Sequence, residues 1–393
     1  MSKKPEFAIK MQDKDTSARV GKLRLSKSAI RTPILWLGHQ IANEPTLWRF
    51  FNVSGILVNA CDILTSNGIS KRIEKEGIGN FLRYDGPIMM DSGGFQFQKK
   101  ETIDINPLSI MDLYEKSKPD IGVVLDHPLD LISEKKNGER LISTMKNTGI
   151  MLKNNGNVVL LPVIHGYAAD DINQLIEYIK DMIGDPVLIG VGSLVPLIKA
   201  LNGRKEFIMS KESIVERMGP PKAKALTGFY MVEIVKLIRR EFPRSFLHVF
   251  GVGGVTTMHL MFSLGVDSID SIGWRLKAAY GAIQLPGVGD RFVSPKKRKR
   301  TKLSEKDLIL LEKCECPICR QQKLARRMEL LDNADPSTFC NRAIHNAWVF
   351  QQELKEARNM IEKNCYFKHV EKKLGRSPMR KFFDYVFADK KFL

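Results

Sequence analysis

The sequence predicts an α/β fold: a closed (β/α)₈ TIM barrel, followed by a cysteine-bearing subdomain and a helical C-terminal tail. Two observations predict it. Eight short, apolar, β-branched runs recur, and each is followed by a helix-compatible stretch. They are 33–38 (PILWLG), 54–60 (SGILVNA), 87–92 (PIMMDS), 121–126 (IGVVLD), 158–166 (VVLLPVIHG), 187–192 (VLIGVG), 247–253 (LHVFGVG) and 268–273 (SIDSIG). Near-continuous apolarity suits strands buried on both faces. Regular alternation with helices implies parallel strands joined by crossovers. A closed barrel is the simplest arrangement of eight such units; an open doubly wound sheet is the other. Residues 18–23 precede the first run and suit a small hairpin that plugs the barrel bottom. The division expected is 1–295 for the barrel, 296–350 for the cysteine subdomain and 351–393 for a helical, basic extension.

Composition narrows the partner. Of 393 residues, 62 are Lys or Arg and 44 are Asp or Glu, a formal net charge of +18. Such an excess favours a polyanion, because each phosphate contact releases counterions. Lys296, Lys297, Arg298, Lys299 and Arg300 form the densest basic run, expected in a loop that contributes to nucleic-acid affinity. Phe382, Phe383, Tyr385 and Phe387 lie among lysines and arginines in the tail, a composition that suits DNA without excluding RNA. No apolar run has the length of a membrane span, and the N-terminal residues have no hydrophobic signal core. The expected location is therefore cytoplasmic, with no membrane partner.

Three of the six cysteines, Cys314, Cys316 and Cys319, fall within six residues. In a reducing compartment that clustering points to metal before disulfide. Cys61, Cys340 and Cys365 are scattered and read as inert thiols.

In a parallel barrel the functional site lies at the C-terminal ends of the strands. Those ends carry Asp91-Ser92-Gly93-Gly94-Phe95-Gln96, Asp126, His165-Gly166, Gly192-Ser193, Phe250-Gly251-Val252-Gly253 and Asp270, with Asp267 just before it. Glycines there let backbone amides approach a ligand closely. Any one of these aspartates suits a helix cap, and such a set of carboxylates also suits a metal; their convergence from six strands is what marks a site.

These motifs resemble the tRNA-guanine transglycosylase family and its DNA-modifying relatives. Asp91-Ser-Gly-Gly-Phe-Gln matches the family's D-S-G-G-[FY]-Q. Gly192-Ser-Leu-Val-Pro resembles its G-G-[VL]-x-P turn, and Phe250-Gly-Val-Gly its [ML]-G-V-G segment. Gly265-Val-Asp-Ser-Ile-Asp270 resembles its G-x-D-x-[FI]-D nucleophile motif. Residues 17–23, continuing to Thr32-Pro33, resemble its opening segment, and the cysteine cluster with Ile344-His345-Asn346 its zinc subdomain. The matches run from about residue 17 to about residue 350 in the family's order.

The resemblance implies a structural Zn²⁺, one per chain, held by Cys314, Cys316, Cys319 and His345 in a closed tetrahedral shell. It implies exchange of guanine in a polynucleotide for a 7-deazaguanine such as 7-cyano-7-deazaguanine. Asp270 would be the nucleophile at C1′ and Asp91 the general acid/base, as in retaining glycoside chemistry. Asp126 would accept hydrogen bonds from the purine's Watson–Crick edge, His165 would read its 6-oxo group, Ser193 and Leu194 would contribute backbone groups, and Ser92, Gly192 and Gly251 would belong to the substrate-binding pocket. Phe95 and Phe250 would sandwich the base. Two departures point to the DNA branch. The transfer-RNA enzymes usually carry glutamine where His165 stands. Asp270 is followed by Ser271-Ile-Gly-Trp274-Arg275 rather than a hydrophobic-Pro-Thr-Arg turn. In that turn Arg275 would hold a phosphate, and Trp274 would wedge where a base has flipped out. A duplex-opening partner protein would lower the cost of flipping. The same chemistry on transfer RNA, and a noncatalytic nucleic-acid-binding paralogue, are the alternatives.

Overall fold

The computed structural model describes residues 4–26, 28–41, 43–94, 96, 105–130, 134–201, 223–295, 300–375 and 377–388. Three antiparallel strands come first: β1 (Glu6–Gln12), β2 (Arg19–Arg24) and β3 (Ala29–Thr32). The barrel follows as β4 (Ile34–Gly38), β5 (Ile56–Asn59), β6 (Ile88–Asp91), β7 (Ile121–Val123), β8 (Leu160–Leu161), β9 (Val163–Ile164), β10 (Leu188–Val191), β11 (Phe246–Val249) and β12 (Ser268–Ser271). These strands pair in parallel in the order β8-β7-β6-β5-β4-β12-β11-β10-β9. A hairpin of β13 (Ile283–Leu285) and β14 (Val288–Arg291) comes after them.

The order closes on itself. β8 and β9 are halves of one run split at Pro162, which has no N–H to give a ladder. The first half pairs with β7 and the second with β10, so both ends of the sheet are the same segment. All eight apolar runs of the sequence thus become barrel strands, and the open doubly wound alternative is excluded.

Strand alternation sorts the side chains. Ile34, Trp36, Met89, Val123, Leu188 and Phe246 fill the barrel interior. Their neighbours Leu35, Leu37, Met90, Ile189, Val249 and Ile269 face outward into the helical layer. The N-terminal sheet plugs the bottom: Leu23, Leu25 and Ile30 join the interior cluster, and Phe7 meets Phe246 edge-on at 5.7 Å.

The plug is also held by charge. Asp267, fully buried just before β12, accepts from Arg19 Nε at 2.8 Å and Nη2 at 2.7 Å. It also accepts from Arg239 Nη2 at 2.9 Å and from the Leu247 amide at 2.9 Å. Arg239 comes from the helix Ala223–Glu241, so one carboxylate ties the plug to strand and helix.

Three helices, Phe339–Glu362, Tyr366–Leu374 and Arg380–Val386, follow the cysteine segment. The first runs unbroken through residues 350 and 351, where the sequence suggests a domain boundary. The tail aromatics are not a base-stacking surface. Phe382 and Phe383 are fully buried, and Phe382 meets Phe229 edge-on at 4.9 Å. They are core residues that dock the last helix on the barrel. Lys296, Lys297, Arg298 and Lys299 lie outside the described residues, while the Arg300 guanidinium covers the Phe292 ring at 4.7 Å. Among the described residues no helix is long and apolar enough to cross a membrane.

Asp267→Ala should destabilise the fold by about 3–5 kcal/mol, because it strands two buried guanidinium groups. Urea unfolding followed by circular dichroism measures this. A loss below about 1 kcal/mol would mean that the plug is held by its apolar contacts alone.

Candidate active site and metal centre

β6 ends on Asp91 and β12 carries Asp270 near its end, while Asp126 lies just beyond β7. The strands deliver all three to one mouth of the barrel. Asp91 feels the consequence most. Burial, then the charges of Asp126 and Asp270, push its pKa up to about 8, against backbone hydrogen bonds from Gly93 and Ser92. A carboxyl in that setting holds its proton at neutral pH. Asn59, the last residue of β5, donates from Nδ2 to Asp91 Oδ2 at 3.0 Å, and its Oδ1 accepts from the Cys61 amide at 2.8 Å.

Asp126 and His165 form the second group. Ser92 donates from Oγ to Asp126 Oδ1 at 3.2 Å. His165 Nε2 lies 2.9 Å from Asp126 Oδ2, off the line of a straight hydrogen bond. On the other side of the ring, Nδ1 lies 2.8 Å from Ser193 Oγ, which itself accepts from the Leu129 amide at 2.8 Å. Every proton finds an acceptor if Ser193 donates to Nδ1 and Nε2–H faces Asp126. Ser193 adopts φ 63°, the left-handed region, and these hydrogen bonds offset that strain. Two glycines are required by close approach. A Cβ on Gly94 would come within 1.9 Å of the Asp126 carbonyl, and one on Gly192 within 2.2 Å of the His165 ring. Leu194 begins the helix Leu194–Leu201, whose leading amides have no partner within the helix.

Asp270 forms the third. Its Oδ1 accepts from the Gly251 amide at 2.6 Å and lies 3.4 Å from His248 Nε2. Phe250 is part-buried and meets His248 edge-on at 4.2 Å. The turn after Asp270 corrects the sequence reading. Trp274 is 1% exposed and belongs to the core, so it is no wedge for a flipped base. The Arg275 guanidinium lies 5.1 Å from the Phe339 ring and donates to the Glu44 carbonyl. Phe95 lies outside the described residues; Gln96 is part-buried.

Sequence reasoning missed Asn59, His248 and His39. His39 follows the end of β4, edge-on to Trp48 at 4.8 Å, and burial with the nearby Arg275 charge lowers its pKa to about 4. Asn59 and His39 stand at or next to a strand end, the position that marked the others, whereas His248 lies within β11.

The cysteine cluster is separate and fits a metal. Sγ of Cys314, Cys316 and Cys319 and Nδ1 of His345 all lie within 4.8 Å of one another. The three sulfurs stand 3.5, 3.5 and 3.6 Å from Nδ1. A tetrahedral zinc with ordinary Zn–S and Zn–N lengths has S···N edges of about 3.6 Å. His345 Nε2 donates to the Gln284 carbonyl at 2.9 Å, which leaves Nδ1 free to ligate. Arg327 Nη1 ties the knuckle by donating to the carbonyls of Leu311, Glu312 and Cys314 at 2.8, 2.6 and 2.8 Å.

Fold and sites together define a closed (β/α)₈-barrel protein with a three-carboxylate mouth and a Cys₃His knuckle that could hold a metal. Residues 13–378 match the sequence model of the queuine tRNA-ribosyltransferase (TGT) family, and the chain belongs to that family. It is similar to the tRNA-guanine(15) transglycosylase of Pyrococcus furiosus, 22% identical over 374 residues, which cover 94% of this chain and 57% of that protein. The enzyme of the same name from Thermococcus onnurineus is 23% identical over 95% of this chain and 58% of its own length. That of Sulfolobus acidocaldarius is 26% identical over 95% and 67% respectively. The chain thus spans little more than half the length of the first two relatives.

Asp91→Asn should stabilise the protein at neutral pH. The folded state holds the Asp91 proton up to about pH 8, whereas an unfolded aspartate loses it near pH 4, so wild-type stability falls between those values. The variant does not pay that cost, so its melting temperature should exceed wild type by a few degrees at pH 8 and match it below pH 4. A variant less stable than wild type at pH 8 would contradict the raised pKa.

Proposed function

We propose that the chain is a guanine transglycosylase that exchanges a guanine base in a nucleic acid. The observation that carries this is the meeting of Asp270, Asp91 and Asp126 at one barrel mouth, where burial and the charges of the other two push the pKa of Asp91 up to about 8. Asp270 attacks C1′ of the target nucleotide, and the glycosidic pair of electrons leaves with the purine. Asp91 gives the departing purine its proton, then takes one from the incoming base. That base attacks C1′ and returns Asp270 as a free carboxylate. No cofactor is consumed, because one glycosidic bond replaces another. Asp126, oriented by Ser92 and His165, accepts hydrogen bonds from the purine edge. Ser193, Leu194, Gly192 and Gly251 line the base, Phe95 and Phe250 stack on it, and Arg275 would have to exchange its contact with the Glu44 carbonyl for a flanking phosphate. A 7-deazaguanine suits the incoming base, because its altered ring keeps the same Watson–Crick edge.

Two readings of the polynucleotide have support. The names of the relatives support transfer RNA. The Ser271–Arg275 turn beside Asp270, His165 in place of glutamine, and the net charge of +18 support DNA. The DNA reading draws nothing from Trp274, Phe382 or Phe383, which are core. A protein that opens the duplex would be its natural partner.

We also propose that the Cys314, Cys316, Cys319 and His345 knuckle holds zinc. With no open coordination position the ion would be structural. The isolated protein should carry one zinc per chain, and Cys316→Ala should lose both metal and local stability. Elemental analysis showing a metal-free native protein would refute this.

Asp270→Ala should abolish base exchange and covalent trapping on denaturing gels while the fold remains. Asp267 cannot substitute, because it is locked beneath the barrel by two arginines. The assay supplies radiolabelled guanine or 7-cyano-7-deazaguanine with plasmid DNA or bulk transfer RNA. Label entering only transfer RNA overturns the DNA reading; full exchange by the alanine variant overturns the nucleophile.

A further inference from the structure

An imidazole is buried in the barrel interior directly beneath Asp270. His248, on β11, is fully buried, as are Ser268 on β12 and Trp36 on β4. Register makes them neighbours: His248 is level with Ser268, and Asp270 with Trp36. Parity turns all four inward, because Leu247, Val249, Ile269 and Leu35 face the helices. Burying an imidazole in an otherwise apolar layer is costly unless its nitrogens are satisfied.

The contacts run in one line. Trp36 Nε1 donates to Ser268 Oγ at 2.7 Å, and Ser268 Oγ lies 2.7 Å from His248 Nδ1. His248 Nε2 has no aligned hydrogen-bond partner and lies 3.4 Å from Asp270 Oδ1. The indole can only donate. Ser268 Oγ therefore accepts from Trp36, and among the described residues the acceptor for its own proton is His248 Nδ1. That fixes the ring proton on Nε2, the atom facing the carboxylate. The opposite tautomer would leave the serine proton without an acceptor and set a nitrogen lone pair against a carboxylate oxygen.

We propose that His248 is a positioning residue for Asp270, with its tautomer set by Ser268 and Trp36. This rests on the base-exchange reading above. The Gly251 amide and the His248 Nε2–H both address Oδ1 of Asp270, which leaves Oδ2 for attack. As Oδ2 bonds to C1′, the C1′–purine pair of electrons leaves with the base, and Oδ1 becomes the ester carbonyl. When the incoming base attacks C1′, the ester pair returns to the carboxylate and the same two donors stabilise it. His248 thereby holds one rotamer of Asp270 through both half-reactions without touching the substrate.

Two measurements test this. Nitrogen-15 NMR of the histidine rings, with the His248 signal assigned by its loss in His248→Gln, should show a protonated Nε2 and a bare Nδ1. Ser268→Ala or Trp36→Phe should shift that signal towards a tautomer mixture. In steady-state exchange, His248→Leu should lose on the order of ten- to a hundredfold in kcat at little-changed KM for the base, the loss expected for a hydrogen bond to a charged group. His248→Gln, whose amide nitrogen reaches the Nε2 position, should recover most of it. Trp36→Phe keeps the packing and should give a smaller kcat loss, so the proposal survives testing even if the leucine variant does not fold. An Nδ1-protonated ring, wild-type kcat in both His248→Leu and Trp36→Phe, or a His248→Gln variant no better than leucine would overturn it. If the wild-type protein exchanged no base on DNA or transfer RNA, the function proposed above would fall, whereas the NMR signal would still decide the tautomer.

Discussion

Three carboxylates share the mouth of a barrel whose interior is largely apolar, and the charges of Asp126 and Asp270 act on the buried Asp91. Charges so close in a low-dielectric setting cannot all be ionised without compensation. The structure compensates two of them with donors. Asp126 receives Ser92 and faces His165; Asp270 receives the Gly251 amide and faces His248. Asp91 receives Asn59 and backbone amides but stands near both other carboxylates, and it is the one pushed towards its neutral form. In the mechanism proposed above, that environment suits Asp91 to the acid's role.

The same strand shows how the barrel divides its labour. Asp267 and Asp270 are three positions apart, at opposite ends of β12. Asp267 meets two guanidinium groups and the plug, and no opening to solvent remains there. Asp270 meets the Gly251 amide and the His248 ring at the mouth. A full ion pair suits the first, because nothing further is asked of that carboxylate. In the proposed mechanism a guanidinium held against Asp270 would oppose attack on C1′, and among the described residues no ion pair with an arginine is formed there.

The fold was legible because strands buried on both faces must be apolar throughout, and eight such runs leave few arrangements. Asp91, Asp126, His165 and Asp270 were legible because polar residues ending such runs stand out. His248 did not stand out. A run that is apolar on both faces gives no sign of which face is the barrel interior, so one polar residue within it reads as an irregularity. Trp274 and Phe382 were misread for a related reason. Their burial depends on helices far away in sequence, Phe339–Glu362 and Ala223–Glu241, and local composition carries no trace of that packing. The division of the fifth run into β8 and β9 was written in Pro162, but only the closed pairing order gives the split its meaning.

The metal knuckle belongs to this site through the backbone that follows Asp270. His345 reaches the Gln284 carbonyl with the nitrogen that does not face the sulfurs. On the next residue, Asn346 Oδ1 accepts from the Gln284 amide at 2.7 Å, and Nδ2 donates to the carbonyls of Trp274 and Ala282 at 3.2 and 3.0 Å. One turn earlier, Arg342 Nε donates to the Ala278 carbonyl at 3.1 Å. One helix therefore pins residues 274–284 along their length, and the knuckle pins that helix. Losing an ion from this knuckle would free the helix end that carries His345. The first segment to feel it would be Gly273–Ala279, which directly follows the strand bearing Asp270. Under the proposal that the knuckle holds zinc, the ion would reach the segment after Asp270 through this helix.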